Sequence, residues 1–408
     1  MEIKTEELKK LDKRIHEFNQ EYSLVMHSVN QVPNLFAIKE IIEKISFLKS
    51  ELEKTKSENE FEKILIKNNL LNLEIQRAYL QYASTREEEN TVELSELFFG
   101  KGIIEKLIEK IKNFNYEADW DFYLSYQSYS YKQYPSDSPD MQDKFKEILS
   151  ELKKDVLQYA REHYGLDEKY DFDLILGQPY SQGSWFHPTT RRVEISPSIF
   201  FAYKDENELK INSAGVIEVI FHEFIGHALQ EYNSSNLPLS IKDDSINTSV
   251  PTMNLHAEGV SQMAEISSIE FMKQFKEKYS IKDDYIKQRE LAQKRKNISL
   301  IKNYFDYLKL KNLEDQNFDY KKEFLDTTNN MGAFLNFELS NNKPFAFFKN
   351  ISYNIGLERI KQIYNKLIEE FGKENSPLIN KAISTGLLNI NVVEEFARYY
   401  IESQLISN

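Results

Sequence analysis

Apolar residues recur at three- and four-residue intervals along most of this 408-residue chain, and helix-breaking residues are rare, with 12 glycines and 10 prolines. This period is that of an amphipathic α-helix, so the pattern predicts a mainly helical fold. The predicted helices are Ile38–Glu53, Phe61–Tyr82, Lys101–Lys112, Met141–His163, Ile211–Tyr232, Thr252–Tyr279, Asp283–Lys311, Tyr320–Leu339, Ile355–Phe371 and Val392–Ser403.

The pattern changes between Tyr170 and Ser198, where turn-rich sequence separates two short segments with strand character. Asp173–Gly177 is apolar and ends in glycine, whereas Arg192–Ser196 alternates polar and apolar residues. Both features are typical of short strands. The sequence therefore predicts a mainly α protein with one small antiparallel β-sheet beside the helix that follows it.

The length of the chain exceeds what one hydrophobic core usually supports, which favours a two-lobed molecule. We expect an N-terminal helical lobe over 1–165, a core with the sheet over 166–280, and a C-terminal helical lobe over 281–408. The boundaries follow the change of pattern, because no linker or low-complexity tract marks them.

Composition excludes several classes of chemistry. The absence of cysteine rules out disulfides, thiolate-bound zinc, iron–sulfur clusters and a thiol nucleophile. A formal net charge of −13 argues against a nucleic-acid or anionic-membrane partner. The charged N-terminus and the lack of a long apolar run predict a cytoplasmic protein without a membrane span.

One segment contains residue types that can bind a metal or transfer protons. His222, Glu223 and His227 form an HExxxH motif there. In a regular α-helix, residues five apart diverge by about 140°, so two such imidazoles could not reach one ion. Either the pair binds no metal or the helix contains a π-type bulge, which occurs mostly at functional sites. Gly226, directly before the second histidine, would make such a bulge easy to form.

A downstream helix supplies a third candidate ligand, Glu258, followed by Glu265 two turns later. Two neutral imidazoles and one carboxylate leave an open position for water, which is the arrangement of a catalytic zinc site. Glu223 could then act as the general base. Glu265 could orient a ligand histidine, and Glu231, four residues after His227, is an alternative third ligand.

These two segments, HExxxH and Glu258-Gly-x4-Ala-Glu265, resemble the gluzincin metallopeptidases, whose zinc ligands are two histidines and a later glutamate. One similar branch is the tyrosine-carboxypeptidase-like family, which has HExxxH spacing. The other is a bacterial metallopeptidase-like family with HExxPGH and EGWALYAE segments. The resemblance implies that His222, His227 and Glu258 bind one Zn²⁺, that Glu223 is the base, and that Tyr353 stabilises the oxyanion.

Further residues are candidates for substrate binding. Arg191 and Arg192, beside the second predicted strand, could bind a substrate carboxylate through their guanidinium groups. His256 points away from Glu258 on a helix, so it would face the substrate or support the site from behind.

The sequence therefore predicts a zinc-dependent peptidase with its site between two helical lobes, acting on short peptides or chain ends. A zinc hydrolase of a non-peptide amide is one alternative. A catalytically inactive helical protein that binds peptides or a partner is the other.

Overall fold

The computed structural model describes residues 1–29, 35–85, 102–112, 139–177, 184–187, 190–197, 201–205, 208–242, 251–329, 331–339 and 346–407. Within these ranges the protein is mainly helical, which confirms the predicted fold class. No helix in them is both long and apolar enough to cross a lipid bilayer.

The described residues of the N-terminal part form helices. They are α1 (Glu6–Val29), α2 (Leu35–Lys54), α3 (Glu60–Thr85), α4 (Ile103–Lys112) and α5 (Pro139–Tyr164). Four of them correspond to predicted helices, and α1 was not among the predictions.

The central part contains the helices that carry the HExxxH and Glu258 segments. A continuous helical rod is formed by α6 (Ala214–Ile220), a π-helix (Phe221–Ala228) and α7 (Leu229–Ser234). A 3-10 turn (Leu239–Ile241) precedes α8 (Pro251–Gln274). The predicted helix start at Ile211 was early, because Ile211 and Asn212 belong to a strand.

The C-terminal part is again helical. Its elements are α9 (Asp283–Glu314), α10 (Tyr320–Thr328), α11 (Met331–Leu339), α12 (Ala346–Phe371), a 3-10 turn (Lys373–Asn375), α13 (Ser376–Ile383) and α14 (Val393–Ser407). The predicted segment Tyr320–Leu339 is two helices, because Asn329 has a left-handed backbone conformation (φ 49°) that ends the first one.

The small sheet has three strands, β1 (Asp173–Leu176), β2 (Trp185–His187) and β3 (Arg192–Ile195), in the order β1-β3-β2. The two strands predicted from sequence pair in parallel, so the predicted antiparallel pairing between them was wrong. The antiparallel pair is β2 with β3, which makes the sheet mixed and leaves β2 at the edge of the sheet that the described residues form. A separate hairpin follows, with β4 (Phe201–Asp205) antiparallel to β5 (Glu208–Asn212).

Buried apolar side chains form two large cores. One unites residues of α1–α4 with residues of α9–α14 and includes Leu255 and Val260 of α8. The other contains α5, the sheet, the π-helix and the second half of α8. In this arrangement α5 packs with the central part, and the two ends of the chain contribute to one core. The division into lobes over 1–165, 166–280 and 281–408 stays a prediction.

Close helix packing places α8 between these cores. A Cβ atom on Gly226 would lie 2.6 Å from the Cα of Ser261, so the π-helix and α8 touch backbone to backbone. On another side of α8, a Cβ on Gly259 would lie 2.6 Å from the carbonyl oxygen of Gly356 in α12. Both contacts require glycine, and their positions on α8 are one and three residues after Glu258.

Candidate metal centre

The π-helix brings together the two histidines of the HExxxH motif. Its backbone hydrogen bonds join residues five apart, so residues at that spacing lie above one another. The imidazole rings of His222 and His227 are 5.0 Å apart, centroid to centroid. With five-residue spacing, both histidines can reach one ion only if the helix has a π-type bulge at this place. The structure has one, the π-helix over Phe221–Ala228.

Glu258 reaches the histidines from α8, because Gly226 lets the two helices pack closely. Its Oε2 lies 3.7 Å from His222 Nε2. One ligand atom from each of His222, His227 and Glu258 falls within 4.8 Å of the others, so among the described residues this trio, here called the metal cluster, could hold a metal ion.

The donor set of this cluster fits zinc. Tetrahedral zinc with bonds of about 2.0 to 2.1 Å separates neighbouring ligand atoms by about 3.3 Å, close to the 3.7 Å between His222 and Glu258. The site is partly shielded, with 17% of the His222 side chain and 12% of the Glu258 side chain exposed. Three protein ligands of this kind leave a coordination position for water or substrate.

Glu265 sets the tautomer of His222. Its Oε1 lies 2.6 Å from His222 Nδ1 and also accepts a hydrogen bond from Gln262 Nε2 at 3.0 Å. A carboxylate at Nδ1 holds the ring proton there, so Nε2 carries the lone pair that faces Glu258. Burial works to lower the pKa of His222, but the hydrogen bond and charge of Glu265 outweigh it and raise that pKa.

His227 is held in its neutral form. Burial, assisted by the nearby His222, lowers its pKa to about 3. A metal binds the neutral form of an imidazole. His227 is already neutral at neutral pH, so no proton has to leave it before a metal binds.

Glu223 is positioned by the edge strand of the sheet. Its Oε2 accepts a hydrogen bond from the backbone N–H of Phe186 in β2 at 2.9 Å. Burial raises the pKa of Glu223 to about 7, against the opposing effects of His222 and of this hydrogen bond. The sequence did not predict β2, although the aromatic pair Trp185-Phe186 beside a turn-rich segment is a weak strand signal.

His256 is not a substrate-binding residue in the structure, so that prediction was wrong. It is completely buried, and both ring nitrogens are engaged within the protein. Nδ1 accepts from the backbone N–H of Leu388 at 3.1 Å, and Nε2 therefore donates to the carbonyl oxygen of Ile383 at 2.8 Å. Burial lowers the pKa of His256 to about 4, which keeps the ring neutral.

The two arginines lie in different environments. Arg191 is exposed in a left-handed turn (φ 49°). Burial raises the pKa values of the nearby Tyr170, Glu231 and Tyr232, and the charge of Arg191 only partly opposes that rise. Arg192 projects from the outer face of the sheet, because the alternate residue Val193 is buried in the core. Among the described residues, the group of possible metal ligands contains neither arginine and not Glu231. The substrate-binding role of the arginines stays a prediction, and so does Glu231 as an alternative third ligand.

Tyr353 lies in α12, one turn before Gly356, whose backbone touches α8 beside Glu258. The Tyr353 side chain is outside the described part of the structure. Its role at the oxyanion therefore stays a prediction.

Comparison with known proteins adds little to this site. No protein-family profile matches the chain, and no curated protein matches it. A solved structure described as a "putative lipoprotein from Colwellia psychrerythraea" aligns over 96% of this chain and 75% of that chain. The sequence identity is 11% and the TM-score is 0.47, so this similarity supports no argument about fold or function.

Proposed function

We propose that this protein is a zinc-dependent peptidase that hydrolyses peptide bonds of short peptides or of chain ends. The observation that carries the proposal is the π-helix, which gathers His222 and His227 from a spacing that an α-helix would separate. A π-helix with two histidines and a carboxylate at one point is typical of a functional site. The resemblance of the two sequence segments to gluzincins agrees with it.

In this proposal His222, His227 and Glu258 hold one Zn²⁺. When bound, zinc supplies Lewis acidity that polarises a carbonyl group and brings the pKa of a water molecule near 7. Glu265 keeps the His222 proton on Nδ1, which directs Nε2 to the metal.

Glu223 is the proton carrier of the proposed reaction. A carboxyl group with a pKa near 7 can both accept and return a proton at neutral pH. The Phe186 amide fixes Oε2, so the carboxylate keeps one orientation while it takes a proton from the attacking water and delivers it to the leaving amine nitrogen.

The edge position of β2 favours a peptide over another amide. An extended peptide can add as a further strand to an exposed sheet edge. Because β2 is at the edge and its Phe186 touches Glu223, a peptide on that edge would pass beside the general base. The cytoplasmic location expected from the sequence remains part of this proposal.

The test is Glu223→Gln, with Glu270→Gln as the matched control, because Glu270 is an exposed carboxylate on α8. The wild type and the control should cleave members of a peptide library. The Glu223→Gln protein should bind zinc as the wild type does and lose hydrolysis by about 100-fold or more.

Unchanged turnover by Glu223→Gln would contradict the assigned base. Binding of peptides without cleavage by the zinc-loaded wild type would favour the inactive binding protein. Cleavage of simple non-peptide amides, without cleavage of any peptide, would favour the alternative of a zinc hydrolase that acts on a non-peptide amide.

A further inference from the structure

A loop at residues 384–392, between α13 and α14, is almost entirely buried although it has no regular secondary structure. Ser384, Leu387 and Asn389 are each at most 1% exposed. Buried backbone of this kind must find hydrogen-bond partners elsewhere. Several of the partners that the 384–392 loop finds lie on the helices that carry the metal cluster.

His256 connects α8 to this loop. It lies two residues before Glu258, and its ring bridges the carbonyl oxygen of Ile383 and the backbone N–H of Leu388. Both ring nitrogens have partners that are fixed in the backbone, so the ring holds this turn of α8 at a set distance from the loop.

The helix that carries the histidines is connected to the same loop. Gln230, three residues after His227, donates from Nε2 to the carbonyl oxygen of Gly386 at 3.1 Å. Gly386 has φ 81°, a conformation that favours glycine. The segment that connects α7 to α8 is also bonded to the loop. The backbone N–H of Leu387 donates to the carbonyl oxygen of Ile241 in that segment at 2.7 Å.

The far end of the loop is bonded to α3. The backbone N–H of Asn389 donates to Asn68 Oδ1 at 2.8 Å, and its Nδ2 donates to Asn72 Oδ1 at 3.0 Å. The same Asn72 oxygen accepts from Thr252 Oγ in the first turn of α8 at 2.9 Å. The loop and the start of α8 are thus held by one side chain of α3.

We infer that the 384–392 loop is a positioning element that sets the separation of His222 and His227 from Glu258 through Gln230 and His256. Its relevance to the metal rests on the proposed function. Ligands hold a metal well only when their own supports keep them within about 0.5 Å of the required geometry. A loop bonded to both ligand helices provides that support without touching the metal.

The test compares His256→Leu with Phe324→Leu, a control that destabilises the protein at a fully buried ring of α10, which packs on Tyr304 of α9 and Phe334 of α11. Zinc affinity is measured by competition with a chromophoric chelator, and the ligand geometry by the visible absorption of the Co²⁺-loaded protein. We expect His256→Leu to bind zinc at least about tenfold more weakly, with altered Co²⁺ absorption. Phe324→Leu should lower the melting temperature but keep its zinc affinity within about twofold of the wild type and leave the Co²⁺ spectrum unchanged.

Two further variants keep the test decisive. His256→Gln retains a donor for Ile383 and should recover part of the lost affinity. Gln230→Leu removes the support on the other helix and should weaken zinc binding as His256→Leu does, which tests the inference even if His256→Leu fails to fold. If His256→Leu and Gln230→Leu both fold and keep the zinc affinity and the Co²⁺ spectrum of the wild type, the positioning role of the loop is overturned.

A metal-free measurement separates this inference from the proposed function. Amide hydrogen exchange over residues 251–260 should be faster in Gln230→Leu and His256→Leu than in Phe324→Leu. If the wild type binds no zinc, the proposed function fails. Equal exchange in this region among the variants would overturn the role of the loop.

Discussion

The hydrogen bond between Glu265 and His222 Nδ1 decides which nitrogen of that ring can face a metal. Without it, the proton could sit on Nε2, the atom that lies 3.7 Å from Glu258 Oε2. The heptad spacing of Glu258 and Glu265 placed both carboxylates on one face of the predicted helix, and the structure confirms that Glu265 contacts a candidate ligand histidine.

Glu265→Gln should weaken zinc binding by about 10- to 100-fold, because an amide oxygen accepts from Nδ1–H but lacks the charge that makes the imidazole more basic. A chelator competition titration measures this affinity. Glu270→Gln, on an exposed part of the same helix, is the control and should bind zinc as the wild type does. Equal affinities for the two variants would contradict the role given to Glu265.

The π-helix is the element on which the metal cluster depends. Its extra residue per turn aligns His222 with His227, and its Gly226 allows α8 to approach until Ser261 touches the backbone. Gly226 was expected to ease the bulge. The structure adds a second reason for glycine there, which is the close contact between helices.

Gly226→Ala should therefore separate the π-helix from α8. The added Cβ would lie 2.2 Å from Ser261 Oγ and 2.6 Å from its Cα, so one helix must move. We expect a loss of about 1 to 3 kcal/mol in the free energy of unfolding, measured by urea denaturation, together with weaker zinc binding.

The double variant Gly226→Ala/Ser261→Gly removes the side-chain part of this clash, so it should recover some of the lost stability. A single Gly226→Ala variant with wild-type stability and wild-type zinc affinity would show that the close contact is not required.

At the scale of the whole molecule, the two ends of the chain share one core and enclose the first half of α8. Glu62, which is fully buried at the start of α3, joins α3 to the residues that precede α1 by hydrogen bonds. It accepts hydrogen bonds from the N–H groups of Lys4, Thr5 and Glu58 and from the Thr5 hydroxyl. Burial works to raise its pKa, but these bonds outweigh it and lower the pKa to about 2.

The ionised Glu62 therefore stabilises the folded protein above its usual pKa of 4.5, and this contribution is lost as the pH falls towards 2. Glu62→Gln should lower the free energy of unfolding at pH 7 by about 2 kcal/mol. The difference from the wild type should shrink as the pH falls from 4.5 towards 2, because the unfolded wild type binds a proton in that range that folded Glu62 binds only near pH 2.

Urea denaturation at several pH values measures this difference. The neighbouring Glu60→Gln, which changes an exposed side chain paired with Lys63, is the control and should stay within about 0.5 kcal/mol of the wild type. A Glu62→Gln deficit that stays constant down to pH 3 would contradict the assigned charge effect.

What the sequence could predict depended on local signals. The helical period, the five-residue histidine spacing and the position of Glu265 are local patterns, and they led to the helices, the π-helix and the Glu265 contact. The parallel pairing of β1 with β3 and the three-residue strand β2 depend on contacts between distant segments and left little local signal. The partners of His256 are 127 and 132 residues away, so its sequence neighbours could not show that it is buried.

The proposed function depends most directly on one zinc site formed by His222, His227 and Glu258. Metal analysis after dialysis against zinc-containing and then zinc-free buffer tests it, with His163→Gln, at an exposed histidine of α5, as the control. We predict about one zinc per chain in the wild type and in the control, and none in His227→Ala. A wild-type protein without zinc, or a His227→Ala protein that keeps it, would contradict the account.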